Sequence, residues 1–462
     1  MKLSHMLLAS AAALLAAPVL AQTPSVSAAE QDKLDAVADQ ALQSDAYAWD
    51  FVEGLTTEVG PRQSGTAAEQ RARDWAKKWL TAQGFANVRE EPFMMKTWVR
   101  GVEKAEVVSP FPQPLTLVAL GNSAATPADG ITAQVVGFDS YAALEAAPAG
   151  SLKGKIAFIS HHMKRTQDGS GYGFAGPVRW TGPGLAASKG AVAAVIRSVG
   201  TDNHRTPHTG GTSFPDGVAP IPAAALSNPD ADNLARMLER SDDVKLHLVL
   251  TPRNLGETKS GNVTAEIVGR DPSLPPVLLA CHLDSWDLGT GAIDDGAGCA
   301  IIAAAAQHVA EAGQPLRTIR VLFAGAEETG VWGGKAYAKA HAKEPIAVGL
   351  ESDFGADRIW QIRTNFAAGN EALHKALIQA VERFGVEGST AIADNGEDLT
   401  IIHDQKTGHV DLAQDGTHYF DLHHTPDDTL DKIDPVQLRQ NVAVWTQVVG
   451  LLSNEAGPIK PD

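Results

Sequence analysis

The sequence predicts an α/β protein, a mixed sheet with helices on both faces, into which a β-rich domain is inserted. After residue 251, short apolar runs that end in polar residues alternate with helical segments, an order typical of an α/β sheet. The apolar runs lie at residues 277–280, 319–323 and 346–350, and the helical segments at residues 298–312 and 334–342. Between Val107 and Thr251, Gly/Pro turns and short strands replace this alternation and indicate a separate domain.

The remaining boundaries follow from the same pattern. Residues 28–85 show mixed polar and apolar residues at helical spacing, so a first part of the main domain is predicted before the insertion. The predicted divisions are a signal peptide at 1–21, a first part of the main domain at 22–106, the insertion at 107–251 and a second part of the main domain at 252–462.

Composition excludes several classes of protein. The chain has 462 residues, 44% hydrophobic and 20% charged, which is typical of a globular protein with sizeable cores. Its formal net charge of −17 argues against nucleic acid or an anionic membrane surface as the main partner, because both attract basic patches. With only Cys281 and Cys299, a cysteine-rich zinc site is excluded, so any metal must be held by His and carboxylates.

The N-terminus is typical of a secretory signal peptide. Lys2 precedes an apolar stretch from Met6 to Ala17, and small residues end at Ala21 before Gln22. This stretch is too short for a membrane span. A periplasmic or secreted protein without a membrane span is therefore expected.

Acidic and imidazole side chains follow the predicted strands at five places. Because the carboxyl ends of strands in an open α/β sheet converge on one crevice, these side chains are expected to meet. A single Asp or His is usually a solvated surface residue or a satisfied core residue, but five successive clusters favour a functional site. The clusters contain His282 and Asp284; Asp294 and Asp295; Glu327 and Glu328; Glu351 and Asp353; and His423, His424, Asp427 and Asp428.

This set of donors suits hydrolysis at a pair of metal ions. Zinc accepts imidazole nitrogen and carboxylate oxygen. Two ions about 3.5–4 Å apart share a carboxylate and hold a hydroxide between them at neutral pH. A carboxylate that is not a ligand is then needed to pass the water's proton to the leaving amine. The Glu327–Glu328 pair offers one residue for each role.

In their order along the chain, these motifs resemble the zinc exopeptidases of metallopeptidase family 28. The motifs are His-x-Asp at 282–284, Asp-Asp-Gly-x-Gly at 294–298, Glu-Glu-x-Gly at 327–330, Glu-Ser-Asp at 351–353 and His-Thr-x-x-Asp-Thr at 424–429. The resemblance extends from about residue 34 to residue 452 and includes the segments 56–62 and 207–210. It implies the zinc exopeptidase fold, and it makes the insertion similar to a protease-associated domain.

The resemblance also implies roles for individual residues. It implies two zinc ions per chain, with Asp294 bridging both and Glu327 as the general base. The remaining implied ligands are His282 and Asp353 for one ion, and Glu328 and His424 for the other.

Supporting roles are expected for other residues of the same motifs. Asp284 is expected to orient the His282 imidazole through its carboxylate. Asp295 is expected to shape the turn after the bridge, and Asp428 to support the site or cap a helix. Tyr419 and Asp398 are candidates for lining the substrate cleft.

The remaining cysteines and histidines are expected to play no part in the chemistry. Cys281 and Cys299 are expected to be buried free thiols, although the end of a strand and the start of the next helix can also be close enough for a disulfide. The other histidines are assigned to loops or the surface by default: His161, His162, His204, His208 and His403.

The predicted function is a secreted zinc-dependent exopeptidase that hydrolyses dipeptides or short peptides through a metal-bridged hydroxide. Three alternatives remain: an aminopeptidase of the same family, a single-zinc transferase of the glutaminyl-cyclase type, and a non-catalytic binding protein on the same scaffold. The sequence does not decide which end of the peptide is recognised. Candidate partners for a substrate carboxylate are Arg179, Arg205 and Arg358. A homodimer is also left open.

Overall fold

A computed structural model describes residues 26–366, 369–393, 396–400 and 407–459 of the chain. The predicted signal peptide and His403 lie outside the described residues. The predicted fold class is confirmed: the chain forms two mixed sheets packed with helices. None of the helices in the described ranges combines the length and the hydropathy of a membrane span.

The strands divide into two sheets and are numbered here in chain order. They are β1 (Ala86–Val99), β2 (Glu103–Ser109), β3 (Gln113–Leu115), β4 (Leu117–Ala119), β5 (Ile131–Phe138), β6 (Ile156–Ile159), β7 (Ala193–Arg197), β8 (Ala223–Leu226), β9 (Lys245–Leu250), β10 (Arg253–Ile267), β11 (Val277–His282), β12 (Ile319–Ala324), β13 (Val348–Glu351), β14 (Ile359–Asn365), β15 (Glu387–Gly388) and β16 (Gly408–Gln414).

The helices are numbered in the same way. They are α1 (Ala28–Ser44), α2 (Tyr47–Gly54), α3 (Ala67–Ala82), α4 (Tyr141–Ala146), α5 (Ser170–Ala175), α6 (Pro177–Trp180), α7 (Gly182–Ser188), α8 (Asn228–Leu238), α9 (Ala297–Ala312), α10 (Trp332–Ala340), α11 (Glu371–Glu382), α12 (Tyr419–Leu422) and α13 (Pro435–Asn454).

The first sheet has the strand order β1-β10-β12-β11-β13-β16-β14-β15. Its centre is parallel, since β11 pairs in parallel with both β12 and β13. Successive residues of β11 face opposite sides: Leu279 joins the core under α9 and α13, whereas Leu278 joins a second core under α10. Burial on both faces explains why these strands are continuous apolar runs and why helices cover both sides.

The second sheet has the order β3-β2-β9-β5-β6-β7-β8-β4 and extends from Glu103 to Leu250. It has its own cores, on its two faces. The chain leaves the first sheet after Val99 and returns at Arg253, which pair with each other at the end of the β1/β10 ribbon. We call residues 103–250 the second lobe; the predicted insertion at 107–251 overlaps it, and its assignment as a protease-associated domain stays a prediction.

Polar contacts connect the second lobe to the first near the strand ends. The Thr209 amide donates to the His424 carbonyl at 3.4 Å, and the Trp286 indole Nε1 donates to the Thr209 hydroxyl at 2.6 Å. Arg165 donates to the Asp421 carboxylate at 2.8 Å. The second lobe is therefore held against the edge of the first sheet where the acidic clusters lie.

Arg62 fixes the loop that leads away from β11. Its side chain is fully buried, and it donates to the carbonyls of Leu283, Thr290 and Gly291. Its backbone amide donates to the Ser285 hydroxyl at 3.1 Å. One guanidinium thus satisfies three buried carbonyls of a loop that has no strand partner.

Replacing Arg62 by Met should destabilise the protein strongly. Three buried carbonyls would lose their donor, at about 1 kcal/mol or more each, so a loss of about 3 kcal/mol in the free energy of unfolding is expected. Urea unfolding measures this loss, with Arg89→Met as the control because Arg89 is 41% exposed. Equal losses in the two variants would contradict the role given to Arg62.

Candidate metal centre

The side chains of the site lie at the carboxyl ends of parallel strands, where an open α/β sheet forms its crevice. His282 is the last residue of β11, and Asp353 lies two residues after β13. Glu328 follows β12, Asp294 lies in the turn between β11 and α9, and His424 follows α12. All five predicted ligands are therefore brought to one place by different elements of the first lobe.

The first group of ligand atoms contains His282, Asp294 and Asp353. His282 Nε2 lies 3.0 Å from Asp294 Oδ1 and 3.3 Å from Asp353 Oδ1. His282 and Asp294 are buried, and Asp353 is partly exposed. One imidazole nitrogen and two carboxylate oxygens thus converge on one point.

The second group contains Asp294, Glu328 and His424. His424 Nε2 lies 2.6 Å from Glu328 Oε2 and 3.2 Å from Asp294 Oδ2. Asp294 therefore directs Oδ1 at the first group and Oδ2 at the second. This is the arrangement of a carboxylate shared between two ions.

The electrostatics of Asp294 differ from those of its neighbours. Although burial by itself raises the pKa of a carboxyl, the neighbouring His423, a hydrogen bond from His282 and the nearby His424 imidazole hold the pKa of Asp294 well below its usual range. Burial raises the pKa of Glu328, and the adjacent His424 only partly offsets this effect. The pKa of Asp294 is thus shifted in the opposite direction from that of Glu328.

The donors present fit divalent metal ions. Asp294 Oδ2 and Glu328 Oε1 are buried, and no hydrogen-bond donor of the described residues is aligned on either atom. A buried carboxylate oxygen with no aligned donor is costly unless a cation compensates its charge. Imidazole nitrogen and carboxylate oxygen are the ligands of hydrolytic zinc sites, so the residues present suit zinc.

Glu327 belongs to neither group, although it lies next to Glu328. Its side chain lines the cleft. Its backbone amide donates to Asp284 Oδ1 at 3.1 Å, which fixes the turn that carries it. Burial raises the pKa of Glu327 well above the usual range, and repulsion from Asp353 and Glu328 adds to this shift.

Asp284 contacts His282 in a different way from the one expected. His282 Nδ1 lies 3.0 Å from the Asp284 backbone carbonyl, whereas the carboxylate is 3.7 Å away. The carboxylate instead accepts from the Ser64 hydroxyl at 2.7 Å and from the Glu327 amide. Asp284 therefore orients the imidazole through its backbone and connects the first group to Glu327 through its side chain.

Two further aspartates hold the backbone around Asp294. Asp428 Oδ1 accepts from the amides of Ala292 and Ile293, both at 2.7 Å. Asp295 accepts from the His282 amide at 3.0 Å and from the first turn of α9. Both aspartates shape the turn around Asp294, and neither belongs to the two ligand groups described above.

Two other clusters of ligand-type residues do not suit a metal. Cys281, Asp295 and Cys299 lie together, but the two cysteines form a disulfide with Cα atoms 5.1 Å apart. The expectation of free thiols is therefore wrong. The reason is that the first turn of α9 packs against the end of β11, which places the two residues within the reach of a disulfide.

The second such cluster contains His208, His423 and His424. Arg179 Nη1 lies 3.3 Å from His208 Nε2 and 3.1 Å from His424 Nδ1, so a positive charge already lies among these rings. The default assignment of His208 to a loop or the surface is wrong, since it is fully buried and stacks on His424. His162 and His204, in contrast, lie in loops and are partly exposed.

The two cleft candidates have different positions. Tyr419 lines the cleft beside the metal ligands. Asp398 is fully buried, and its carboxylate accepts from the Gly334 amide at 3.0 Å. It therefore fixes the start of α10.

Comparison with known proteins identifies the family. Residues 262–449 match the sequence profile of peptidase family M28. Carboxypeptidase Q of Mus musculus is 32% identical over 405 residues, which cover 87% of this chain and 84% of the mouse protein. This chain belongs to peptidase family M28. The resemblance inferred from the motifs is confirmed. As a member of this family, the chain is a metallopeptidase.

Solved structures agree with this assignment. A peptidase M28 precursor from Shewanella amazonensis SB2B has a TM-score of 0.90 and 46% identity, with 94% of this chain and 98% of that chain covered. A zinc aminopeptidase from Bacillus subtilis has a TM-score of 0.62 at 20% identity, covering 90% of this chain and 98% of that chain. The second likeness shows a shared fold, and the predicted zinc exopeptidase fold is confirmed.

Exchanging Asp294 for Asn should release zinc from both groups. A terminal ligand such as His282 touches one group, so His282→Ala should retain about one zinc per chain, whereas the Asp294 carboxylate contributes charge to both groups. Zinc content after dialysis, measured by atomic absorption, distinguishes the variants. If Asp294→Asn keeps its full zinc while His282→Ala loses zinc, Asp294 is no bridge.

Proposed function

We propose that this chain is a secreted zinc-dependent exopeptidase that hydrolyses dipeptides or short peptides. His282 and Asp353 would hold one zinc ion, Glu328 and His424 a second, and Asp294 both. The single observation that carries the proposal is the Asp294 carboxylate, whose two oxygens face two separate groups of ligands. Secretion rests on the predicted signal peptide at residues 1–21.

When bound, a pair of zinc ions lowers the pKa of a water and polarises the peptide carbonyl. The protein's own part is to place and move the proton. Glu327 lines the cleft and is in neither group of ligands, so its carboxylate is available to take the proton of the attacking water. The same carboxyl then delivers that proton to the nitrogen of the leaving amine.

The choice of Glu327 over Glu328 rests on contacts. Glu328 Oε2 lies 2.6 Å from His424 Nε2, so this carboxylate is already engaged in the second group. Glu327 is instead fixed through its backbone by Asp284. The side chain of Glu327 is left to face the substrate.

The second lobe restricts what reaches the centre. The cleft has a volume of about 640 Å³ and is lined by both lobes, with Asn122, Trp180 and Thr212 from the second lobe. Its volume lies in the range of small-molecule pockets, which suits a short peptide better than a folded protein segment. The covered cleft supports an exopeptidase.

The relatives support hydrolysis and leave the recognised end open. The listed curated relatives that cover most of this chain are carboxypeptidases by name, whereas the solved structures of the same fold include aminopeptidases. A single-zinc transferase is disfavoured because two complete groups of ligand atoms are present. A non-catalytic binding protein is disfavoured because Glu327 and the full ligand set are retained.

Replacing Glu327 by Gln should abolish turnover without loss of metal. The amide cannot accept the proton, and removing a general base typically costs about 10²–10⁴ in rate. The measurement is kcat for a dipeptide together with zinc content. Glu257→Gln is the matched control, because Glu257 is exposed on the β1/β10 ribbon.

Loss of one zinc in the Glu327 variant would show that the roles of the two glutamates are reversed. Normal turnover with both ions retained would remove Glu327 from the mechanism. Either result is distinct from unfolding, which circular dichroism detects.

Dipeptides should be cleaved much faster than long peptides. The second lobe lines part of the cleft beside the metal ligands, so the internal bonds of a decapeptide are expected to reach the centre less readily than the single bond of a dipeptide. Mass spectrometry of the products of a dipeptide, a decapeptide and a folded protein tests this expectation. Rapid cleavage of internal bonds would contradict it.

A further inference from the structure

The cleft contains one fixed cationic side chain. Among the described residues that line it, Arg179 is the only Lys or Arg. Arg179 belongs to α6 of the second lobe, whereas the metal ligands belong to the first. Its position thus depends on how the two lobes meet.

The Arg179 guanidinium has no acidic partner within the described residues. Its Nη1 donates to the Thr209 carbonyl at 2.7 Å. The same atom lies 3.3 Å from His208 Nε2 and 3.1 Å from His424 Nδ1. The guanidinium packs over the Tyr172 ring at 5.5 Å from the ring centre. Arg179 Nε is buried and has no hydrogen-bond partner.

This arrangement is unusual for a side chain that is only 7% exposed. A buried charge is costly unless an opposite charge or a full set of hydrogen bonds compensates it. Arginine carries a planar fork of donors that matches a carboxylate. A buried arginine without a protein carboxylate, in a substrate cleft, is suited to an anionic group of the ligand.

The other two candidate arginines are engaged elsewhere. Arg205 pairs with the Asp230 carboxylate at 2.8 Å, and Arg358 donates to the Phe384 carbonyl at 3.1 Å. Neither lines the cleft.

Arg179 lies close to the metal ligands. Arg179 Nη1 lies 3.1 Å from His424 Nδ1, and His424 directs its other nitrogen at Glu328 and Asp294. Arg179 thus lies beside one ligand of the centre, and a short peptide bound there can place its terminal carboxylate near the guanidinium.

We propose that Arg179 binds the C-terminal carboxylate of the substrate, so that the enzyme recognises the C-terminal end and releases the last residue. Arg179 is in this sense a specificity-determining residue, not a catalytic one. The inference rests on the proposed peptidase function and adds the recognised end to it.

The test compares two substrates that differ only at the C-terminus, the dipeptide Ala-Leu and its amide. The variants are Arg179→Gln, Arg179→Lys and the matched control Arg205→Gln, an exposed arginine of the same lobe. Arg179→Gln should lower kcat/KM for Ala-Leu by about 10- to 100-fold, the value of one charge-assisted pair, and change that for the amide by less than about threefold. Arg179→Lys should keep part of the preference for the acid over the amide, and Arg205→Gln should keep all of that preference.

An equal loss on both substrates would overturn the inference, because it would mean that Arg179 only positions His424. Zinc content and melting temperature of each variant show whether such a loss comes from the metal centre or from folding. Faster cleavage of the amide than of the acid by the unmodified enzyme would also overturn it.

A binding measurement keeps this inference separate from the proposed function. If the zinc-loaded wild-type protein cleaves neither compound, the peptidase proposal fails. Calorimetric titration with Ala-Leu and with its amide still tests Arg179, since carboxylate binding does not require turnover. The inference is supported if the wild-type protein binds the acid more tightly than the amide and Arg179→Gln shows no such difference. Equal binding of acid and amide by the wild-type protein overturns it.

Discussion

The site depends on one constraint, the fixed position of the Asp294 carboxylate between His282 and His424. These imidazoles come from the end of β11 and from the segment after α12, so one carboxylate spans two separate parts of the first lobe. Asp428 secures the turn that carries Asp294 through two amide hydrogen bonds. Arg62 secures the preceding loop. The ligand atoms are thus positioned by a set of buried polar contacts.

The sequence alone predicts much of this arrangement, because strand ends in an α/β sheet converge by geometry. The apolar run before His282 indicates a strand, and the polar residues that follow it must face the crevice. The five acidic and imidazole clusters could therefore be grouped without coordinates, whereas the choice of ligands within them came from the resemblance to a family. The order of the motifs then indicated the family.

What sequence could not predict depends on how the segments pack together. His208 resembles any loop histidine in sequence, and it becomes a buried neighbour of His424 only because the second lobe packs against the first. The Cys281–Cys299 disulfide depends on the packing of α9 against the strand end. Arg179 was one of three equal candidates until the structure showed which of them lines the cleft. Side-chain pairing across 200 or more residues has no local pattern.

The insertion of the second lobe at a single point of the ribbon has a consequence for how such proteins diversify. Val99 and Arg253 are paired neighbours, so the lobe enters and leaves through one narrow connection. A whole lobe can be exchanged there without altering the strands that carry the ligands. Such an exchange would replace Arg179, His208 and Thr209 together while Asp294 and its partners stayed in place. The proposed carboxylate-binding arginine and the metal ligands thus belong to different lobes of the chain.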